Sequence, residues 1–160
     1  MRALVCEKLE GPSSLQVRDV PRPPLPAGHV RVRVRAAGVN FADLLIVSGG
    51  YQEKPALPFV PGMEAAGEVV EVAPDVTSPT VGERVVAMVP NGAFAEEVVA
   101  AAGRTHVLPE GVSFDIGASF PVAYGTAHLG LRHRAHLKRD EILVVHGAAG
   151  GVGLAAVEVG

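Results

Sequence analysis

The residues with the clearest chemical capacity lie close to the end of the sequence, in Val145-His146-Gly147-Ala148-Ala149-Gly150-Gly151-Val152-Gly153. Four glycines fall within seven positions. Residues 142–145 before them are wholly apolar and largely β-branched, and an apolar pattern resumes at 154–157. Strand, glycine turn, helix start is the order that a dinucleotide-phosphate site requires. The turn must be tight and its backbone must approach a pyrophosphate, while unpaired N–H groups at the helix start face the anion. The spacing is not the complete G-x-G-x-x-G fingerprint. Ala148 stands at its first glycine, with Gly150 and Gly153 at the second and third. Taken alone, an ordinary strand-to-helix turn has the same composition.

The elements that must carry this turn are read from periodicity. Residues 2–6 and 15–20 read as strands separated by Gly11-Pro12-Ser13-Ser14, and the proline-rich segment 21–28 reads as an extended surface connector. Val30, Val32 and Val34 then alternate with Arg31, Arg33 and Arg35, which predicts three valines facing a core and three arginines facing water. Residues 36–47 read as a turn into a short helix, and 48–55 as a loop. Further strands are expected over 64–72, 84–89, 95–100 and 105–108, with Asn91-Gly92 as a turn. Ser113 is placed to cap a helix that gathers Ile116, Ala118 and Phe120 ahead of Pro121. A second helical stretch, about 123–131, leads into the basic run 132–139, whose positive side chains suit the negative end of a helix. Many short strands with Gly/Pro turns describe a compact, mostly β, barrel-like domain. One strand and about two turns of helix do not make a doubly wound sheet, so the expectation is an α/β domain cut short, belonging to a protein of roughly 300–350 residues.

Composition narrows the function classes. The chain is 48% hydrophobic with a formal net charge of −3, which suits a soluble globular protein and not a nucleic-acid binder. No stretch reads as a secretory signal or a membrane span. A single cysteine, Cys6, allows no intramolecular disulfide and no thiolate-rich zinc site, so the cytoplasm is the expected compartment.

Four separated segments carry a family resemblance: 30–43 (VRVRVRAAGVNFAD), 57–67 (LPFVPGMEAAG), 81–85 (VGERV) and 145–153 (VHGAAGGVG). Together they resemble the medium-chain dehydrogenase/reductase superfamily, and within it the zinc-free NADPH:quinone oxidoreductase branch, the relatives of zeta-crystallin. The resemblance implies a mostly β GroES-like barrel domain over residues 1–120. Residues 121–160 would then be the connecting helix and the beginning of an α/β Rossmann domain, truncated after its first strand and helix start. It also implies an active site in the cleft between the domains, and a homodimer or homotetramer at full length. Alcohol dehydrogenases of this superfamily hold catalytic zinc with cysteine and histidine where this sequence has Asn40, Met63 and about Ala118, while Glu64 matches. An amide and a thioether are poor zinc ligands, so no metal is expected.

Without a Lewis acid, reduction of an already electrophilic substrate remains feasible. The implied activity is an NADPH-dependent, metal-independent oxidoreductase that reduces quinones or α,β-unsaturated carbonyls by hydride transfer. The alternatives are an enoyl-thioester reductase, or a non-catalytic nucleotide-binding or GroES-like interaction protein. Asn40 is the first candidate for contact with the nicotinamide and the substrate oxygen, its other role being to close a turn. Asp43 would order that loop or bond cofactor or substrate, or else satisfy N–H groups at a helix start. Tyr51 would stack on a ring, donate a proton or anchor its loop. Leu45 stands where the branch often has a second tyrosine, which makes the pocket more apolar. Val122 and Thr126 would lie beneath the nicotinamide, with a helix backbone bond as the other role for Thr126. Gly150, Gly151, Val152 and Gly153 would approach the pyrophosphate. The preference for NADPH is an implication of the branch alone.

Overall fold

A computed structural model describes residues 1–160, which divide into two compact units, Met1–Ser119 and Phe120–Gly160. In the first unit, β1 (Arg2–Val5) and β2 (Gln16–Asp19) form an antiparallel pair. The remaining strands are β3 (His29–Ala37), β4 (Glu64–Val72), β5 (Arg84–Met88), β6 (Glu97–Ala101) and β7 (Thr105–Val107). They build one antiparallel sheet in the order β6-β3-β4-β5-β7. Two short helices complete the unit, α1 (Phe41–Val47) and α2 (Phe114–Ser119).

Alternating valines produce this sheet. Val30, Val32, Val69, Val85 and Val98 point into one core with Ala65, Ala87 and Ala100, and each is almost wholly buried. Burying a valine side chain contributes on the order of 1.5–3 kcal/mol, and β-branched residues suit the pleated surface. The register of β3 on β4 shifts between Arg31 and Val32 and again between Val34 and Ala36. Such irregularities bend a strand and re-aim its side chains.

Arg31 departs from the sequence expectation. Arg33 and Arg35 face solvent, as the alternation predicts, but Arg31 is 4% exposed. The proline-rich connector covers it: Arg31 Nη2 donates to the Pro23 carbonyl at 2.9 Å. Its Nε donates to Glu71 at 2.8 Å, and the Glu97 carboxylate lies 3.9 Å away. Periodicity assigns a residue to a face of a strand but does not say what the chain later lays across that face. We expect Arg31→Ala to lower stability by about 2 kcal/mol, read from the denaturant midpoint. It removes one charge-assisted bond and one bond that holds the connector, and the half-exposed Glu71 is only partly desolvated.

The sequence also overstates the apolar face of α2. Gly117 and Ala118 are its buried residues, whereas Ile116 is 59% and Phe120 54% exposed. Small side chains form the face that approaches the sheet. Ser113 does sit at the start of α2, where its Oγ accepts the Ile116 N–H at 3.4 Å.

The second unit contains α3 (Pro121–His128), a wider helical turn over Leu129–Arg134, and α4 (Gly151–Val159). Pro121 occupies the first turn of α3, where its missing N–H costs nothing. Ala127 of α3 and Ala155 of α4 are the buried residues of their helices, and the Tyr124 hydroxyl donates to the Glu158 carboxylate. Arg132, His133 and Arg134 lie in the last helical turn, exposed, as expected for cations at that pole. Residues 142–145 form no strand and join no ladder, with Ile142 93% and Val144 71% exposed. A strand is defined by its partner, and no other segment of this chain pairs with this one.

Candidate active site

Asn40 is positioned by the junction of β3 with α1. Gly38 donates its N–H to the Glu64 carbonyl at 3.2 Å, which ties the end of β3 to the start of β4. A β carbon on Gly38 would stand 2.3 Å from Glu64 Oε1 and 2.6 Å from the Ala118 carbonyl oxygen, so only glycine fits. Two residues later the backbone is extended at Asn40, the N-cap of α1, and Asp43 takes the third helical position of a capping box. The Asp43 carboxylate accepts the Asn40 N–H at 2.8 Å, and the Asn40 carbonyl accepts the Asp43 N–H at 3.0 Å. The Asn40 side chain faces the Asp43 N–H within the capping box and also reaches β4. Its Nδ2 donates to Glu64 Oε1 at 2.8 Å.

Three polar residues, Asn40, Asp43 and Glu64, thus meet in one place. Asp43 and Glu64 are 3% and 1% exposed, and Asn40 is half-buried. Asp43 also borders a cavity of about 280 Å³ whose other walls include Leu4, Val39, Leu44, Val47 and Phe94. Burial among these apolar groups pushes the Asp43 carboxyl above its usual range, against the opposing pull of the Asn40 and Gly62 N–H groups. Its Oδ1 is buried and makes no hydrogen bond of its own.

The sign of this shift gives a test. The folded state holds the Asp43 proton more tightly than the unfolded state. Its contribution is therefore fully present below the unfolded pKa and is lost as pH rises through the raised folded value. Glu71 and Glu96, held below their usual range by hydrogen bonds to Arg31 and Arg2, tilt stability the opposite way. Between about pH 3 and pH 7, wild type should lose stability relative to Asp43→Asn as pH rises, measured as the difference in urea midpoints. Parallel profiles would show that Asp43 has an ordinary carboxyl.

Tyr51 is apart from this group in its bonding. It lies half-buried in the loop after α1 and gives no hydrogen bond to Asn40, Asp43 or Glu64. Glu64 is legible in the sequence only as a residue beside a lost ligand position. What marks it as part of the site is a long-range contact, 24 residues from Asn40 along the chain. No group of three or more His, Cys, Asp and Glu residues stands close enough to hold a metal ion, and no helix is long and apolar enough to cross a membrane.

In the second unit the glycine turn has the form that a phosphate-binding turn needs. Gly150 is the N-cap of α4, its N–H bonded to the Gly147 carbonyl at 3.1 Å, and no side chain caps the helix. The N–H groups of Gly151, Val152 and Gly153 fall in the first turn, where an α-helix supplies no acceptors of its own. A β carbon on Gly153 would lie 2.2 Å from the Gly147 carbonyl oxygen and 2.9 Å from Ala148 Cα. The turn is folded flat against its own helix, and the first N–H groups are left uncovered. Gly150, Gly151 and Val152 are exposed, as an anion site requires. This arrangement fits a dinucleotide pyrophosphate. Val122 and Thr126 occupy the first and second turns of α3, half-buried and exposed respectively. The Thr126 carbonyl, together with that of Gly125, accepts the Leu129 N–H.

Comparison with known proteins places these features in a family. Residues 26–110 match the alcohol dehydrogenase GroES-like domain. The chain is 44% identical to a quinone oxidoreductase-like protein 2 homolog of Nematostella vectensis over 160 residues, which cover 99% of this chain and 43% of that protein. Among solved structures, the quinone oxidoreductase of Thermus thermophilus, also determined in complex with NADPH, superposes with a TM-score of 0.86 at 41% identity. That match covers 99% of this chain and 49% of the other. The human synaptic vesicle membrane protein VAT-1 homolog-like protein superposes with a TM-score of 0.96 at 34% identity, over 99% of this chain and 52% of that one. The chain thus spans about half the length of the relatives it matches. It belongs to the alcohol dehydrogenase GroES-like family and corresponds to the N-terminal portion of the zinc-independent quinone oxidoreductase branch of the medium-chain dehydrogenases/reductases.

Proposed function

We propose that this chain belongs to an NADPH-dependent, metal-independent oxidoreductase that reduces quinones or α,β-unsaturated carbonyls. The observation that carries the reading is the uncapped start of α4 beside a turn in which Gly153 touches the Gly147 carbonyl, in a chain 41% identical to a quinone oxidoreductase that binds NADPH. The bound NADPH supplies the hydride. Everything else falls to residues of the protein. Gly150, Gly151, Val152 and Gly153 hold the pyrophosphate through backbone N–H groups and the helix pole. Val122 packs against the nicotinamide ring and Thr126 offers it a hydroxyl. Asn40 has one Nδ2 proton in use on Glu64 and a second available to an oxygen of the substrate as negative charge develops there. Asp43 fixes the backbone of Asn40, and Tyr51 supplies an aromatic face and a hydroxyl at the substrate. A homodimer or homotetramer in the cytoplasm completes the reading.

The test is NADPH oxidation by the product of the complete reading frame, with a benzoquinone, a naphthoquinone, a short enone and an enoyl thioester. Turnover of quinones or the enone supports the proposal. Turnover of the thioester alone assigns an enoyl reductase. NADPH bound without any turnover assigns a non-catalytic nucleotide-binding protein.

A further inference from the structure

We propose that Glu64 is a positioning residue for Asn40: it decides which face of the Asn40 amide is offered to a ligand. The inference rests on the reading of Asn40 as a ligand contact.

A primary amide can present either its oxygen or its nitrogen, and in free rotation it presents both. Here one of the two orientations is removed. With Nδ2 donating to Glu64 Oε1 at 2.8 Å, a flip would set the Asn40 oxygen against a carboxylate oxygen, acceptor against acceptor. The second Nδ2 proton points away from Glu64, and Asn40 is only half-buried. The main chain of Asn40 is held separately, through its N–H to Asp43 and its carbonyl to the Asp43 N–H. Asp43 thus holds the main chain and meets the side chain in the capping box, and Glu64 is the partner of the Asn40 amide nitrogen.

Glu64 is suited to this because it cannot move. It is 1% exposed at the first position of β4, between the buried Gly38 turn and the buried Ala65 and Ala66. The close approach of Gly38 leaves its carboxylate no room on that side. A carboxylate buried this deeply is costly unless its oxygens are hydrogen-bonded, and an apolar residue at the head of this strand would avoid that cost. The bond from Asn40 Nδ2 is one that keeps this buried oxygen satisfied.

The experiment uses the product of the complete reading frame and four variants: Glu64→Met, Glu64→Gln, Asn40→Ala and the Glu64→Met/Asn40→Ala double. Methionine keeps the volume and removes the acceptor, while glutamine keeps an oxygen for Nδ2. Thermal unfolding is followed beside kcat and KM for a naphthoquinone, with NADPH saturating. We expect Glu64→Met to lose about tenfold in kcat, the usual weight of one directed hydrogen bond, with KM little changed. Glu64→Gln should recover most of that loss, and the double variant should be no slower than Asn40→Ala alone. A purely structural Glu64 would instead give losses that multiply in the double variant, and that result would overturn the proposal. So would a fully active Glu64→Met beside an impaired Asn40→Ala, which would leave the reading of Asn40 standing. A fully active Asn40→Ala would remove that reading and the positioning role with it.

Discussion

Replacing Gly153 by valine should weaken NADPH binding by the product of the complete reading frame by roughly 100-fold, about 3 kcal/mol. The reason is local and does not depend on what the side chain does beyond its first atom. A β carbon at 153 would sit 2.2 Å from the Gly147 carbonyl oxygen and 2.9 Å from Ala148 Cα. Both obstacles are main chain, which cannot rotate aside as a side-chain tip can. The turn must open, and the N–H groups of Gly151 and Val152 move with it, out of line with the phosphate oxygens. Two charge-assisted hydrogen bonds at about 1.5 kcal/mol each account for the loss. Gly153→Ala should therefore do most of the damage that valine does. Titration of NADPH fluorescence measures the affinity, and circular dichroism checks that α4 survives. Unchanged affinity in both variants would place the phosphates elsewhere on the protein.

The polar cluster at Asn40 and the glycine turn are unequally legible in the sequence. The glycine turn can be read because its constraint is local: strand, turn and helix lie within eighteen residues, and the spacing of Gly150 and Gly153 states the geometry directly. The sheet is legible for the same reason, since the period of two at Val30, Val32 and Val34 needs no knowledge of the partner strand. Alternation misplaces Arg31 because the surroundings of that side chain come from Pro23 and Glu71, which lie outside the pattern. The strand expected at 142–145 needs partners that pattern alone cannot provide. Asn40 and Asp43 lie three residues apart, and their pairing across the start of α1 follows from helix geometry. Glu64 is found only in the fold, because its claim to the site is a contact between two strand ends. Interactions set by the pitch of one element can be read along the chain, whereas those set by the meeting of elements must be observed.

Gly38→Ala tests that meeting point, and it should cost on the order of 3 kcal/mol of stability. The added β carbon would stand 2.3 Å from Glu64 Oε1, 2.7 Å from Glu64 Cδ and 2.6 Å from the Ala118 carbonyl oxygen. The first two obstacles belong to a side chain wedged in the core, and the third to the backbone of α2. None of the three has a free direction in which to retreat. The cost should appear as a lower urea midpoint with an unchanged slope, since nothing about the unfolded chain is altered beyond one methyl. Moving Glu64 also moves the acceptor that holds Asn40 Nδ2, so the product of the complete reading frame should lose activity as well as stability. The origin of the strain can be divided with a second substitution. Measured in a Glu64→Ala background, Gly38→Ala should cost less than in wild type, because two of its three collisions are gone. It should still cost something, because the Ala118 carbonyl remains. An equal cost in both backgrounds would assign the whole clash to α2, and Gly38 would then serve the approach of that helix to the sheet and not the placement of Glu64 beside Asn40.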